Sequence, residues 1–181
     1  HIKQIVATQQ NYAKVSGVLE KVSISGLVDD ALQIVESGLI RHRIRVERDF
    51  EPLPDIEADK HKILQILLNL LRNAKQAFPV EREGREAVIR IRIRRVGESH
   101  LSLEVQDTGV GLPPENLTRI FGHGFTTKPD GHGFGLHSCA LAAKQMGGSL
   151  RAESEGPGHG ATFVLDLPLK VADNVKEESL T

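Results

Sequence analysis

Two glycine-rich turns carry the residues of this chain best suited to chemistry: Asp107-Thr108-Gly109-Val110-Gly111 and Gly131-His132-Gly133-Phe134-Gly135-Leu136. In the first, a carboxylate leads the glycines. An ionised carboxylate only accepts hydrogen bonds, so Asp107 suits an exocyclic amino group such as that of adenine, while Gly109 and Gly111 let the chain pass close to a base. In the second, the glycines run into a helix whose first N–H groups and dipole favour a triphosphate. The spacing is GxGxG rather than the GxGxxG of a Rossmann site, and no Lys-Ser/Thr follows as in a Walker loop. Between the turns lie Phe121, Phe125, Thr126, Thr127 and Lys128, and a cation at Lys128 can grip a terminal phosphate.

A row of polar side chains completes the set. His61, Gln65, Asn69 and Asn73 recur at four-residue steps, which stacks them on one side of a helix. A carboxamide oxygen is a hard, neutral ligand for Mg²⁺, an ion that keeps several waters and bridges phosphates. Asn73 is the candidate metal ligand, with Asn69 and Gln65 further along the same face. Each feature alone has an ordinary reading: an Asx-type turn, a flexible turn, a solvated polar stripe, a solvated lysine. His123, His132, His137 and His159 fall in the loops without metal-site spacing or a cysteine pair, so zinc is not indicated. No Ser/His/Asp arrangement stands out.

The elements that must position these residues follow from periodicity. Residues 1 to about 15 read as a helix with a narrow apolar stripe, one that needs a partner helix or packs on the main domain. Ser23 caps a second helix, from about Ile24 to Gly38. Arg43 to Phe50 alternates as a half-buried strand, and a short strand follows at Asp55 to Glu57. Asp59 to Ala77 returns to a 3.6 period, with Ile63, Leu67, Leu70, Leu71 and Ala74 as its apolar face. Ala87 to Val96 and His100 to Gln106 form a hairpin that runs straight into Asp107. A short helix spans about Pro114 to Ile120, Gly122 to Gly133 is a loop long enough to be a lid, and Phe134 to Met146 is a helix. Ser149 to Glu155 and Ala161 to Leu167 are strands, and the tail after Pro168 is polar and frays. The order is not a strict βαβα alternation. It predicts an α/β (α+β) two-layer sandwich of antiparallel hairpins with helices gathered on one face.

Composition is that of a soluble globular chain: 181 residues, 39% hydrophobic, 26% charged, net charge −1. No global basic field points to nucleic acid or a membrane surface. A lone cysteine, Cys139, excludes an internal disulfide framework and favours a reducing, cytoplasmic setting. No apolar run is long enough to span a membrane. The chain begins at His1 rather than methionine, which suggests a piece of a longer, even membrane-bound, parent.

Together and in order, these segments resemble a known family. Gln65-x-x-x-Asn69-Leu70-x-x-Asn73-Ala74, Asp107-x-Gly109-x-Gly111, Phe121 to Thr126-Thr127-Lys128, Gly131-x-Gly133-x-Gly135-Leu136 and Gly160-Ala161-Thr162-Phe163 are similar to the N, G1, F, G2 and terminal glycine boxes of sensor histidine kinases, in the GHKL superfamily of ATP-binding domains. The resemblance covers about residues 22–168. It leaves 1–21 as the end of a dimerisation hairpin plus linker, and 169–181 as a tail. It implies a mixed, largely antiparallel sheet with helices on one face and ATP between helix and lid. It implies that Asp107 binds the adenine amino group with support from Thr162, and that Asn73 coordinates Mg²⁺ beside Asn69. Gly131, His132, Gly133 and Gly135 would wrap the phosphates with Leu136 and His137 behind them. Phe121 and Phe125 would anchor the lid near Thr126 and Thr127, with Lys128 as its cation.

The resemblance also implies what the chemistry is. Gyrase- and chaperone-type relatives carry a water-activating glutamate one turn before the metal-binding asparagine. Here that residue is Asn69, which cannot act as a general base. That favours phosphoryl transfer to a histidine over hydrolysis. The implied partners are a phosphoacceptor histidine domain of the parent, a response regulator receiver domain and a second copy in a homodimeric parent. His1 lacks the acidic residue and proline that follow the family's acceptor histidine, so the acceptor lies elsewhere. Gln76 stands where many relatives have a basic residue, and Lys75 is the neighbouring cation. Two other readings stand beside the kinase: an ATPase whose hydrolysis drives conformational change, and a degenerate nucleotide-binding module.

Overall fold

The computed structural model describes residues 17–79, 84–126 and 133–172. The helix expected over residues 1 to about 15, and Thr127, Lys128, Gly131 and His132, lie outside the described residues. In chain order the elements are β1 (Glu20–Val22), α1 (Ile24–Arg41), β2 (Ile44–Phe50), β3 (Ile56–Ala58), α2 (Lys60–Gln76), β4 (Ala87–Val96), β5 (His100–Asp107), α3 (Asn116–Arg119), α4 (Gly135–Gln145), β6 (Ser149–Glu153) and β7 (Ala161–Pro168). Five strands form one sheet in the order β2-β4-β5-β7-β6. The β2–β4 pair is parallel, as a connection through α2 allows, and the other three pairs are antiparallel.

Strand alternation separates the two faces of this sheet. Ile89, Ile91 and Ile93 of β4, Leu101, Leu103 and Val105 of β5, and Phe163, Leu165 and Leu167 of β7 join the buried faces of the helices in one core. The intervening Arg90, Arg92 and Arg94 point the other way and pair with Glu47, Glu104 and Asp49. The expected two-layer sandwich is therefore present, with one apolar face under the helices and one charged face in water.

The helices end for specific reasons. Ser23 Oγ accepts from the Gly26 N–H at 3.2 Å, which is the predicted cap of α1. The helix runs past Gly38 to Arg41 and is stopped by Arg43, whose φ is 50°. Gly38 instead allows a close approach, since a Cβ there would lie 3.2 Å from Lys75 Nζ of α2. In α2, Ile63, Leu64, Ile66, Leu67, Leu70, Leu71 and Ala74 are buried, which fixes its rotation and leaves Asn69 and Asn73 half-buried on the adjoining side. Asp59 caps α2 by accepting from the Lys62 N–H at 3.1 Å. Its other oxygen accepts from the Gly17 N–H at 2.8 Å, and the residue is 2% exposed.

Backbone pairing continues on both sides of residues 22 and 168. Glu20–Val22 form β1, paired antiparallel with β3, and the Gly17 N–H donates to Asp59, so described residues before 22 belong to the folded body. After β7 the chain does not fray at once. Leu169 N–H donates to Ser99 O, Ala172 N–H donates to Asp55 O, and the Lys170 carbonyl accepts from Glu57 N–H. Three residues are too few to display strand periodicity, and backbone pairing leaves no compositional trace.

Candidate functional site

Asp107 is the last residue of β5 and sits directly opposite Ala161 of β7 and Ile89 of β4. That register turns its carboxylate to the helix side of the sheet, where it is 3% exposed. Oδ1 accepts from the Gly109 N–H at 2.8 Å, closing the turn that the Asp-x-Gly spacing predicts. Burial pushes the carboxyl up to about 6, against the opposing pull of the Gly109 and Ala161 backbone N–H groups.

The glycines around Asp107 are required by close backbone packing. A Cβ on Gly109 would lie 2.5 Å from the carbonyl oxygen of Ala77, the cap of α2, and the next N–H, of Val110, donates to that same oxygen at 2.9 Å. The turn is thereby fastened to the end of α2. A Cβ on Gly111 would meet Gly156 O at 2.2 Å, and one on Gly160, where φ is +70°, would meet Asp107 O at 2.0 Å. Gly160→Ala combines a left-handed backbone with a clash against main chain. It is expected to cost roughly 2–5 kcal/mol, read as a lower urea midpoint; a midpoint equal to wild type would contradict the packing described.

Ser154 was not visible as a site residue in the sequence. Its hydroxyl accepts from Leu112 N–H at 3.0 Å and donates to Gly160 O at 2.6 Å, tying the Asp107 turn to the β6–β7 turn. Only its place just before the Gly156-Pro157-Gly158 turn could have flagged it. Thr108 acts similarly at the β4 edge: its hydroxyl accepts from Val88 N–H and donates to Glu86 O, both at 3.1 Å.

Two members of the amide row, Asn69 and Asn73, meet on α2. Asn73 Nδ2 donates to Asn69 Oδ1 at 3.0 Å, which turns Asn73 Oδ1 away from Asn69. The first turn of α4 lies against the same row, since a Cβ on Gly135 would be 2.5 Å from Asn69 Nδ2. Glycine at 135 thus lets the start of α4 touch the amides, and one site gathers Asn69, Asn73 and Gly135. Lys75 is not part of it. Two residues on from Asn73 is about 200° around a helix, and its ammonium lies over Gly38 of α1.

The segments flanking the loop meet at their roots. His137 Nδ1 is 3.0 Å from Phe121 O, and Gly124 N–H donates to Gly133 O at 3.2 Å. Phe121 packs edge-on against Phe163, and the Arg119 guanidinium lies 5.1 Å from the Phe125 ring centroid. Leu136 is half-buried against the core, and Thr126 is exposed. Cys139, also on α4, is buried, which pushes its thiol up to about 12.

Thr162 departs from expectation. It is paired with Gln106, whereas Ala161 is paired with Asp107. Directly opposed residues share a face and successive residues alternate, so Thr162 projects to the charged outer face and cannot support a base at Asp107. Ala161 serves there through its backbone N–H. The strand's period of two sets Ala161, not Thr162, on the Asp107 side of β7.

The donor set also bears on a metal. Among the described residues no group of three or more His, Cys, Asp or Glu could hold one. What the site offers is neutral amide oxygen, which fits a hard ion that keeps its waters and shares phosphate oxygens, and does not fit a thiolate- or imidazole-seeking one.

Known proteins resemble this chain in sequence and fold. Residues 58–171 match the family described as histidine kinase-, DNA gyrase B-, and HSP90-like ATPase. The sensor histidine kinase ZraS of Klebsiella oxytoca is 36% identical over 151 residues, covering 83% of this chain and 31% of that protein. The chain spans about a third of the length of this and other ZraS relatives. Among solved structures, full-length ShkA in complex with AMPPNP superposes with a TM-score of 0.75 at 29% identity, covering 85% of this chain and 32% of that one. The mycobacterial sensor histidine kinase MprB gives 0.73 at 25% identity, covering 86% of this chain and all of that one. With the buried carboxylate, the paired amides and the glycine turns in the order already described, the chain belongs to the histidine kinase-, DNA gyrase B- and HSP90-like ATPase family.

Proposed function

We propose that this chain is the ATP-binding catalytic domain of a two-component sensor histidine kinase, transferring the γ-phosphate to a histidine on a separate dimerisation domain. The observation that carries the choice within the family is the Asn69–Asn73 pair. A hydrolase needs a general base one turn before the metal-binding asparagine, and Asn69 is an amide whose oxygen is already engaged by Asn73. In this reading Asp107 accepts from the adenine amino group, Asn73 Oδ1 is the protein ligand for Mg²⁺, and the backbone from Gly133 to Gly135 faces phosphate. Bound Mg²⁺ supplies charge neutralisation for the transferred phosphoryl group. The protein's own residues bind and orient, which is the larger part of catalysis for this reaction. Lys128 remains the candidate cation. The acceptor histidine domain, a receiver domain and a second protomer of a cytoplasmic kinase core are the partners this reading requires.

Phosphoryl transfer in trans tests it. The chain is mixed with a cognate acceptor hairpin and labelled ATP with Mg²⁺, and label is expected on a histidine of the hairpin. Sustained ATP turnover without any acceptor would favour the hydrolase reading, and absence of ATP binding would favour a degenerate module.

A further inference from the structure

We infer that His137 is a positioning residue for the nucleotide loop, because its ring ties the departing arm of that loop to the returning one. The inference rests on the nucleotide-site reading above. His137 belongs to the first turn of α4, on the returning side. Its Nδ1 faces the Phe121 carbonyl oxygen, 16 residues earlier on the departing side. Facing a carbonyl, Nδ1 carries the proton and donates, so a neutral ring keeps its lone pair on Nε2.

The surrounding contacts give this bond its leverage. Phe121 is held from its other side by Phe163, with ring centroids 6.4 Å apart and planes at 79°. Phe163 is two residues along β7 from Ala161, the partner of Asp107. His137 is two residues along α4 from Gly135, which touches Asn69. The Nδ1–Phe121 bond therefore joins the end of the site that holds the base to the end that holds the metal and phosphates. His123 reinforces it, with its ring 4.9 Å from Phe134 and 5.3 Å from His137. The backbone closes the same root: Gly133 has φ +70°, and a Cβ there would meet Gly124 C at 2.4 Å. Arms already held in register need less ordering when a ligand binds, which appears as affinity.

Two substitutions separate positioning from packing. His137→Phe keeps a ring and deletes the donor, whereas His137→Asn keeps an N–H where Nδ1 stood. ATP and adenosine affinities are measured on the chain by calorimetry, with amide exchange over residues 121–125 in the ligand-free protein. His137→Phe is expected to weaken ATP by about tenfold while adenosine stays within about twofold, because Asp107 is untouched. His137→Asn is expected to stay within about threefold of wild type for ATP. Wild-type ATP affinity in His137→Phe, a parallel loss of adenosine, or no rescue by asparagine overturns the proposal. Should wild type itself not bind ATP, the nucleotide reading fails. Amide exchange then decides alone: faster exchange at 121–125 in His137→Phe, restored in His137→Asn, supports the tie, and unchanged exchange overturns it.

Discussion

Asp107→Asn is expected to lose ATP affinity by roughly 100-fold and at the same time to gain stability at neutral pH relative to wild type. The loss follows from donor and acceptor count. A carboxylate offers two accepting oxygens, and one of them already takes the Gly109 N–H at 2.8 Å. In asparagine, the atom left for the adenine amino group is an NH₂, and two donors then face each other. The gain follows from burial. The folded carboxyl titrates at about 6 against an ordinary 3.8, so the folded state holds its proton more tightly than the unfolded one. This group's contribution to stability is full below 3.8 and is lost as pH rises to about 6. The loss amounts to roughly 2–3 kcal/mol, and an uncharged asparagine does not suffer it. Urea unfolding at pH 4.5 and 7.5 reads the difference: part of the loss has already occurred at pH 4.5, so the stability of the variant relative to wild type should rise by about 2 kcal/mol between the two. A gap independent of pH would show that the carboxyl titrates normally. By the same titration, wild-type ATP affinity should fall as pH drops below about 6, since a protonated carboxyl loses an acceptor.

Asn73→Ala is expected to reduce phosphoryl transfer to the acceptor domain by about 10²–10³-fold with adenosine affinity unchanged. The carboxamide that would hold the metal is lost with Asn73 on α2, whereas the base end lies on a separate element, β5. Full activity in Asn73→Ala would sink the metal assignment. Asn69 and Asn73 act as one unit through their 3.0 Å hydrogen bond. Asn69→Ala leaves the Asn73 amide without that anchor, so the double variant should transfer hardly more slowly than Asn73→Ala alone. Fully multiplicative effects in the double-variant cycle would mean that the two amides act independently.

Most of the fold was legible because its elements are long and strongly patterned. Ile63 to Ala74 repeats with a helical period, Ile89 to Arg94 of β4 alternates isoleucine with arginine, and Ser23 and Asp59 stand where caps belong. The elements that escaped are short: β1 and the segment from Leu169 to Ala172. In the site, glycine spacing located the turns because close approach leaves no room for a Cβ, and spacing survives in sequence. The facing of a single residue does not. Thr162 and Ala161 differ by one position and lie on opposite faces of the sheet, and only the pairing register distinguishes them. Ser154 escaped because a serine at a strand end is unremarkable until its three backbone partners are seen.

Asp59 has a consequence for how such a domain is exchanged between proteins. The span that matches the family begins at residue 58, yet the Asp59 carboxylate reaches back 42 positions to the Gly17 N–H, and β1 supplies the partner of β3. The unit of recurrence in sequence is therefore shorter than the unit of recombination. A gene fusion joined at residue 58 would discard α1 and bare one side of α2. It would also strand a buried carboxylate with one donor fewer. A junction at or before Gly17 keeps every described element and contact of the domain together, so a fusion partner is best spliced upstream of that glycine.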